Sequence, residues 1–537
     1  MSSLGRASAL LAAGTMVSRV TGLLRTIVLV QVIGAVGTAS DAFSLANQLP
    51  NDVFSLISVG VLTAVLVPQI VQATTHRDGG SAFISKIFTA GTVVLLVTTA
   101  LAMLAAPWLV GLIASGRPAA QVELAIAFAY WCLPQIFFYG LYALIGETLN
   151  ARRIFGPFTW APVLNNIVSI AGFVVIGLMF GAPLRNVDDW TPDRIAWLGG
   201  IATLGIAVQA IILLAFWPKT RLALRPDFRW RGVGLGNVVK LAGWTMLMAL
   251  SSLAAGFYQH RIAIDASGHD PSITVMNNAW LIFMLPYSVI VMSIGTPYFT
   301  QLSEHAHAGR DAEVRTDIGR SIRTVGFFLT GALAAVLAAA IPASRIFTDN
   351  ATEARAAALV LVAYLVALLP LAVLFIIQRT FYAYGDTRTP FFFTIFQCVL
   401  IVATAFAAKL LHDGGVVPLS GLAATIALGQ SLSSIAQTIV ATTLLHRRLG
   451  GLGTASWLLA LGRFILAAVP AAAAGWGVFL LLGGSDGWTT ANLFAGAVGC
   501  AIIAAVVLVV YIGLLALLRA PELDALKGLV RRFAPSR

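Results

Sequence analysis

Leu49-Pro50-Asn51-Asp52 and Leu133-Pro134-Gln135-Ile136 have counterparts at Leu285-Pro286-Tyr287-Ser288 and Leu369-Pro370-Leu371-Ala372, and both pairs of prolines stand 236 residues apart. Each proline sits inside a long apolar stretch. There it removes a backbone donor and predicts a helix break that neighbouring helices must repair. The context after the second member of each half also repeats: Asn150-Ala151-Arg152-Arg153 before Pro157, and Tyr384-Gly385-Asp386-Thr387-Arg388 before Pro390. Both read as an apolar helix ending in a short basic turn. A shared offset with shared context is the mark of an internal duplication. Paired, proline-interrupted apolar segments at matching places in two halves point to the central site of a transporter.

Composition sets the class. Of 537 residues, 59% are hydrophobic and only 10% charged, a balance foreign to water-soluble domains of this size. Forty-nine Gly, thirty Phe and twelve Trp suit a helical bundle with close helix contacts and interfacial aromatics. The alternating short segments of a β-barrel are absent. The expectation is an all-α polytopic membrane protein with about fourteen transmembrane helices. Spans such as 8–34, 42–73, 232–262 and 273–302 are each long enough to cross about 30 Å of hydrocarbon. Six spans precede the polar stretch Lys219–Arg231, six follow it to Arg448, and two close the chain. The domain reading is residues 1–225 for one lobe, 226–450 for a second related by a parallel repeat, and 451–537 for the last two helices and tail.

Charge orients this arrangement. With the N-terminus cytoplasmic, about 25 of the 34 Lys and Arg fall in cytoplasmic loops and helix ends, which places both termini on that side. The net charge of +12 is then spread over short loops facing anionic lipid, with no basic patch for nucleic acid. Span one carries Arg19 and Arg25 and lacks a signal-peptide cleavage pattern. Cys132, Cys398 and Cys500 lie in separate spans and imply neither disulfide nor metal. No phosphate loop, metal-binding His pair or nucleophile elbow is found, so the chain does not read as an enzyme. Asp188, Asp189 and Asp193 read as solvated loop residues, and His76, His305, His307 and His446 as surface residues at loop ends.

The informative residues are charges and amides within spans. An Arg at mid-depth costs at least about 2.5–3.5 kcal/mol unless it meets water or a partner. Arg19 and Arg25 are therefore candidates for binding a phosphate-bearing headgroup through forked donors. Snorkelling, or pairing with Asp41 to hold spans together, accounts for them as well. Asp41 reads equally as a gate or as an acid at a helix N-terminus. Asn47, Gln48 and Asn51 around Pro50, and Asn277 and Asn278 before Pro286, face the interior, where interhelical bonding and substrate contact are both open. His260, Arg261 and Asp265 read as an interfacial group, and Glu147 and Arg379 as structural.

Ser18-Arg19-Val20, Gly22-Leu23-Leu24-Arg25, Gly34, Ser40-Asp41-Ala42-Phe43, Leu49-Pro50-Asn51, Gly60 and Val67-Pro68 together resemble the N-terminal signature of the MurJ (MviN) lipid II flippases. These belong to the superfamily that also holds the MATE exporters. Ala161-Pro162-Val163-Leu164-Asn165-Asn166 and Phe381-Tyr382-Ala383-Tyr384-Gly385-Asp386-Thr387-Arg388-Thr389-Pro390 extend the resemblance over nearly the whole chain. It implies a bacterial cytoplasmic-membrane protein that carries the undecaprenyl-diphosphate-linked muropeptide, lipid II, to the outer leaflet for peptidoglycan synthesis and cell shape. It further implies substrate contacts at Arg19, Arg25, Asn47 and Asn51, gating or coupling at Asp41, and a tail groove lined by the last two helices. Membrane lipids, and cell-wall synthesis or division proteins, are the partners it suggests. No cofactor is implied, and coupling to membrane potential or to a monovalent cation stays open.

Three positions depart from the pattern of many relatives: Phe54 and Leu281 stand where Arg is common, and Val59 where Glu is. The alternatives are another lipid-linked oligosaccharide flippase, a cation-coupled MATE-like exporter, or a non-transporting envelope scaffold.

Overall fold

A computed structural model of the chain describes residues 3–58, 81–152, 154, 156–228 and 235–523. Val59, Gly60, Val67, Pro68, His76, Arg153, Arg229, Arg231, Arg531 and Arg532 lie outside them. The described residues are helical with no strand. Among the described residues, twelve helical stretches are long and apolar enough to cross a membrane. Of the two other expected spans, one begins as helix Thr38–Ile57 and runs into undescribed residues, and the other corresponds to helix Leu235–Ala263. This is an all-helical, multi-span membrane protein.

The chain divides into two compact units, Met1–His269 and Asp270–Arg537. In the first, α1 (Ser3–Ile33) packs on α7 (Gly156–Phe180), and α7 on α8 (Pro192–Ile211). Helix α2 (Thr38–Ile57) packs on α5 (Ala119–Cys132), and α3 (Ser81–Leu104), which leads into α4 (Ala106–Ala114), packs on α6 (Gln135–Ala151). Ile84, Phe88 and Leu95 of α3 meet Leu144, Ile145 and Leu149 of α6 in a buried cluster. Gly140 is what lets α6 approach so closely, since a Cβ there would come within 2.1 Å of the Leu95 side chain. Helix α9 (Leu235–Ala263) belongs to this unit and packs on α2 and α4. Just beyond its C-terminal end, Asp265 pairs with Arg117 at 2.8 Å and with Arg261 at 3.8 Å, while Gln121 donates to Ser267 at 2.8 Å. The expected Arg261–Asp265 pair is present, and His260 takes no part in it.

The second unit runs α10 (Ile273–Pro286), a π turn Tyr287–Met292, α11 (Ser293–His307), α12 (Asp311–Ala338), α13 (Ala340–Arg345), α14 (Ala351–Leu365) and α15 (Leu368–Ala383). Helices α16 (Arg388–Asp413), α17 (Leu419–Arg448), α18 (Thr454–Leu481) and α19 (Leu493–Leu517) complete it. The last two pack on α12: Phe327 and Ala334 bury against Phe464 and Ala467, and the Tyr511 hydroxyl donates to the Phe327 carbonyl at 2.8 Å. Large side chains on their outer faces stay exposed, Leu459 at 75% and Val509 at 72%, as lipid contact requires.

The four prolines behave differently from one another. Pro134 stands in a true interruption between α5 and α6, and Pro286 ends α10 at the π turn. The interruption before α15 falls at Val366 and Ala367, leaving Pro370 in the first turn of the helix, where its missing donor costs nothing. At Pro50 no break forms, because α2 runs through it unbroken. The ring's fixed φ fits a helix and only one ladder bond is lost, which the surrounding packing tolerates.

Candidate functional site

The polar residues of the first unit gather where α1, α2, α6 and α7 meet. Asn166 of α7 donates from Nδ2 to the Ser18 carbonyl at 3.0 Å and to the Thr21 hydroxyl at 2.9 Å. Gly22, one residue on, has no side chain to hold that amide away; a Cβ there would meet Nδ2 at 3.5 Å. Asn166 is thus a clamp on the stretch of α1 that carries both arginines, while its neighbour Asn165 accepts from Ser169 within α7. Ser18, Thr21 and Arg25 follow one stripe of α1, whereas Arg19 is displaced by about 100° around the axis. Six residues separate the arginines by about 9 Å along the helix and about 120° around it, so both reach one headgroup only through the length of their side chains.

Neither guanidinium makes a hydrogen bond or ion pair among the described residues, and both are partly buried. Arg25 lies within electrostatic range of Tyr139 on α6. Phe54 of α2 stacks on Tyr139 with ring centroids 5.6 Å apart. Phe54 therefore places an aromatic stack beside Arg25.

Of the two amides singled out, Asn47 is engaged in a bridge. The buried Gln135 donates to it at 3.2 Å and to the Thr203 hydroxyl at 3.2 Å, joining α2, α6 and α8. Asn51 is exposed. Asp41 is buried in the first turn of α2, whose start is braced by Arg185: Ala39 N–H donates to the Arg185 carbonyl at 3.1 Å, and a Cβ at Gly37 would collide with that carbonyl. Asn166, Tyr139, Gln135 and Arg185 were not legible as partners, because each acts on a helix far away in sequence.

We expect Asn166→Ala to weaken the α1–α7 contact by about 1 kcal/mol, the usual scale of an interhelical bond in a membrane. A drop in thermal midpoint without loss of the purified monomer would show it, and an unchanged midpoint would count against the clamp.

In the second unit an apolar groove of about 860 Å³ runs between α12, α15, α17 and α18, with Leu337, Val366, Pro370, Ile439, Trp457 and Gly462 among its walls. The expected tail groove was to be lined by the last two helices. Helix α18 lines this one and α19 does not, since its face is spent on α12.

The Tyr384–Pro390 motif resolves as a helix-to-helix turn. Gly385 adopts φ +71, the conformation that favours glycine, and Asp386 N–H returns to the Phe381 carbonyl at 3.0 Å. The Asp386 carboxylate accepts from Thr389 N–H at 2.9 Å, from its hydroxyl at 2.8 Å and from Arg448 at 2.7 Å. Burial alone would raise this carboxyl, but the Thr389 and Arg448 bonds outweigh it and hold it below the usual carboxylate range. A depressed folded value means that its contribution is complete above the unfolded value near ~3.9 and is lost as pH falls through the folded one. Asp386→Ala should cost about 1 kcal/mol at neutral pH and show a smaller stability loss on acidification than the native chain, as read by thermal unfolding.

A sequence model described as "Lipid II flippase MurJ" matches residues 29–499. The chain belongs to the lipid II flippase MurJ family. A probable lipid II flippase MurJ of Synechocystis is 25% identical over 98% of this chain and 96% of its own length. A solved lipid II flippase MurJ in an inward closed conformation superposes with a TM-score of 0.70 at 18% identity, covering 94% of this chain and 98% of the other. An inward-facing MATE multidrug transporter of the MOP superfamily gives 0.64 at 18% identity, over 83% and 99%. Both structures share the fold.

Proposed function

We propose that this chain moves lipid II from the cytoplasmic to the outer leaflet of the bacterial cytoplasmic membrane by alternating access. Membership of the MurJ family over most of the length carries this reading. Two features support it. Arg19 and Arg25 are guanidiniums within a span that no protein carboxylate neutralises among the described residues, and such groups suit the oxygens of a diphosphate. The apolar groove beside α18 has the volume and lining that a polyprenyl chain needs. Asn47 and Asn51 are the further headgroup contacts of this proposal and Asp41 its gate. Depletion of the protein in cells should leave lipid II accumulating on the cytoplasmic side, measured by protease-free extraction and external labelling; normal external lipid II would overturn the reading.

Topology follows the charge distribution, with both termini and the 219–231 linker cytoplasmic. Of the three native cysteines Cys132 and Cys398 are buried, and the half-buried Cys500 is replaced by Ala to remove background. A cysteine placed at the exposed Arg221 should resist an impermeant thiol reagent in intact cells and react after permeabilisation. Reaction in intact cells would reverse the assignment.

A further inference from the structure

Gln48, Asp52 and Ser55 follow one face of α2 at helical spacing, and Ser252, Gly256 and His260 follow one face of α9. Together they line a cavity of about 300 Å³ inside the first unit. Asp52 takes a side-chain hydrogen bond from Gln48, and the Ser55 hydroxyl donates to the Asp52 backbone carbonyl at 2.7 Å. His260 has no hydrogen bond or ion pair among the described residues. Asp52 stands fourteen residues into α2, about 20 Å along the helix axis, a depth at which an ionised carboxylate needs a compensating positive charge.

Among the described side chains no fixed one lines the cavity. The helices packed on α2 carry, among the described side chains, Arg19 and Arg25 on α1, Glu123, Tyr130 and Cys132 on α5, Tyr139, Tyr142 and Glu147 on α6, and Tyr258, His260 and Arg261 on α9. Of these and of Asp41 on α2 itself, only His260 lines the cavity with Asp52. A metal cation would need a shell of several charged or strongly ligating groups, and no group of three or more His, Cys, Asp or Glu is gathered among the described residues. A carboxyl and an imidazole on one polar cavity are both proton acceptors and suit a proton.

We propose that Asp52 and His260 form a proton-binding site within the first unit, with Asp52 as the carrier carboxyl and His260 as the group that exchanges the proton with it. This deepens the transport reading by naming its coupling ion as a proton. Its test is read without transport. Dicyclohexylcarbodiimide, an apolar reagent, modifies protonated carboxyls in membrane sites, and the adduct on the Asp52 peptide is quantified by mass spectrometry on the full chain in vesicles. Labelling of Asp52 is expected to fall about tenfold between about pH 6 and about pH 9. His260→Gln should move the midpoint of that curve. Gly256→Leu, at a position where a Cβ meets nothing within 4 Å, should fill the cavity and suppress labelling in a chain that still folds. Absent labelling, equal labelling across the pH range, or protection by sodium but not choline at constant pH would each overturn the proposal, the last in favour of a metal-cation site. Loss of lipid II translocation with the labelling curve intact would count against the transport reading alone.

Discussion

Arg19→Ala and Arg25→Ala should each lower lipid II translocation by about ten- to a hundred-fold in reconstituted vesicles, at unchanged protein level in the membrane. The magnitude follows from one charge-assisted hydrogen bond, about 1.5–3 kcal/mol, taken from the headgroup complex. Neither side chain is tied to a protein carboxylate among the described residues, so truncation strands no buried partner and folding is preserved. Lys at either position keeps the charge but not the fork, and should restore only part of the rate. Arg25 is the stronger test of the two, because the Asn166 clamp and the Tyr139–Phe54 stack fix its surroundings, whereas Arg19 points from another side of α1. Stable variants with native rates would remove both arginines from the mechanism. Loss of the protein from the membrane would assign them to packing instead.

Gly462→Trp should abolish transport of long-chain lipid II while sparing an analogue with a short chain. Gly462 lines the groove on α18, and a Cβ there meets nothing within 4 Å, so an indole enters free space and does not collide with the core. Gly462→Ala is the control: it leaves the groove open and raises helix propensity by up to about 1 kcal/mol. If the Trp variant carries both substrates at the native rate, the groove does not hold the chain.

The all-helical, multi-span architecture was legible because membrane helices announce themselves by length and apolarity. The Leu-Pro pairs did not report what each proline does. A proline needs only one absent donor and a suitable φ, and whether the helix breaks depends on neighbours the sequence does not name. Pro134 interrupts its span while Pro50 is absorbed in α2. The arginines stood out because a charge in hydrocarbon has a cost that can be stated from one residue. Asn166 did not, since its partners Ser18 and Thr21 lie about 150 positions upstream, and an amide in a span is explained equally by a substrate or by a neighbouring helix. Asp52 beside Pro50 drew no notice for a related reason: its significance rests on His260, which meets the same cavity only when α9 packs on α2.

The packing of α18 and α19 on α12 sets an order of events in time. Tyr511 reaches back across 184 positions to the Phe327 carbonyl, and the alanine-rich face around Ala334 and Ala338 packs in one cluster with residues of the last two helices. At about 5–20 residues per second of synthesis, α12 waits on the order of 10–40 s in the bilayer before its final neighbours leave the ribosome. Through that interval its small-residue face is available to any helix that can approach it closely. The second unit is accordingly exposed to mispairing through that interval, and its assembly waits on the synthesis of α19.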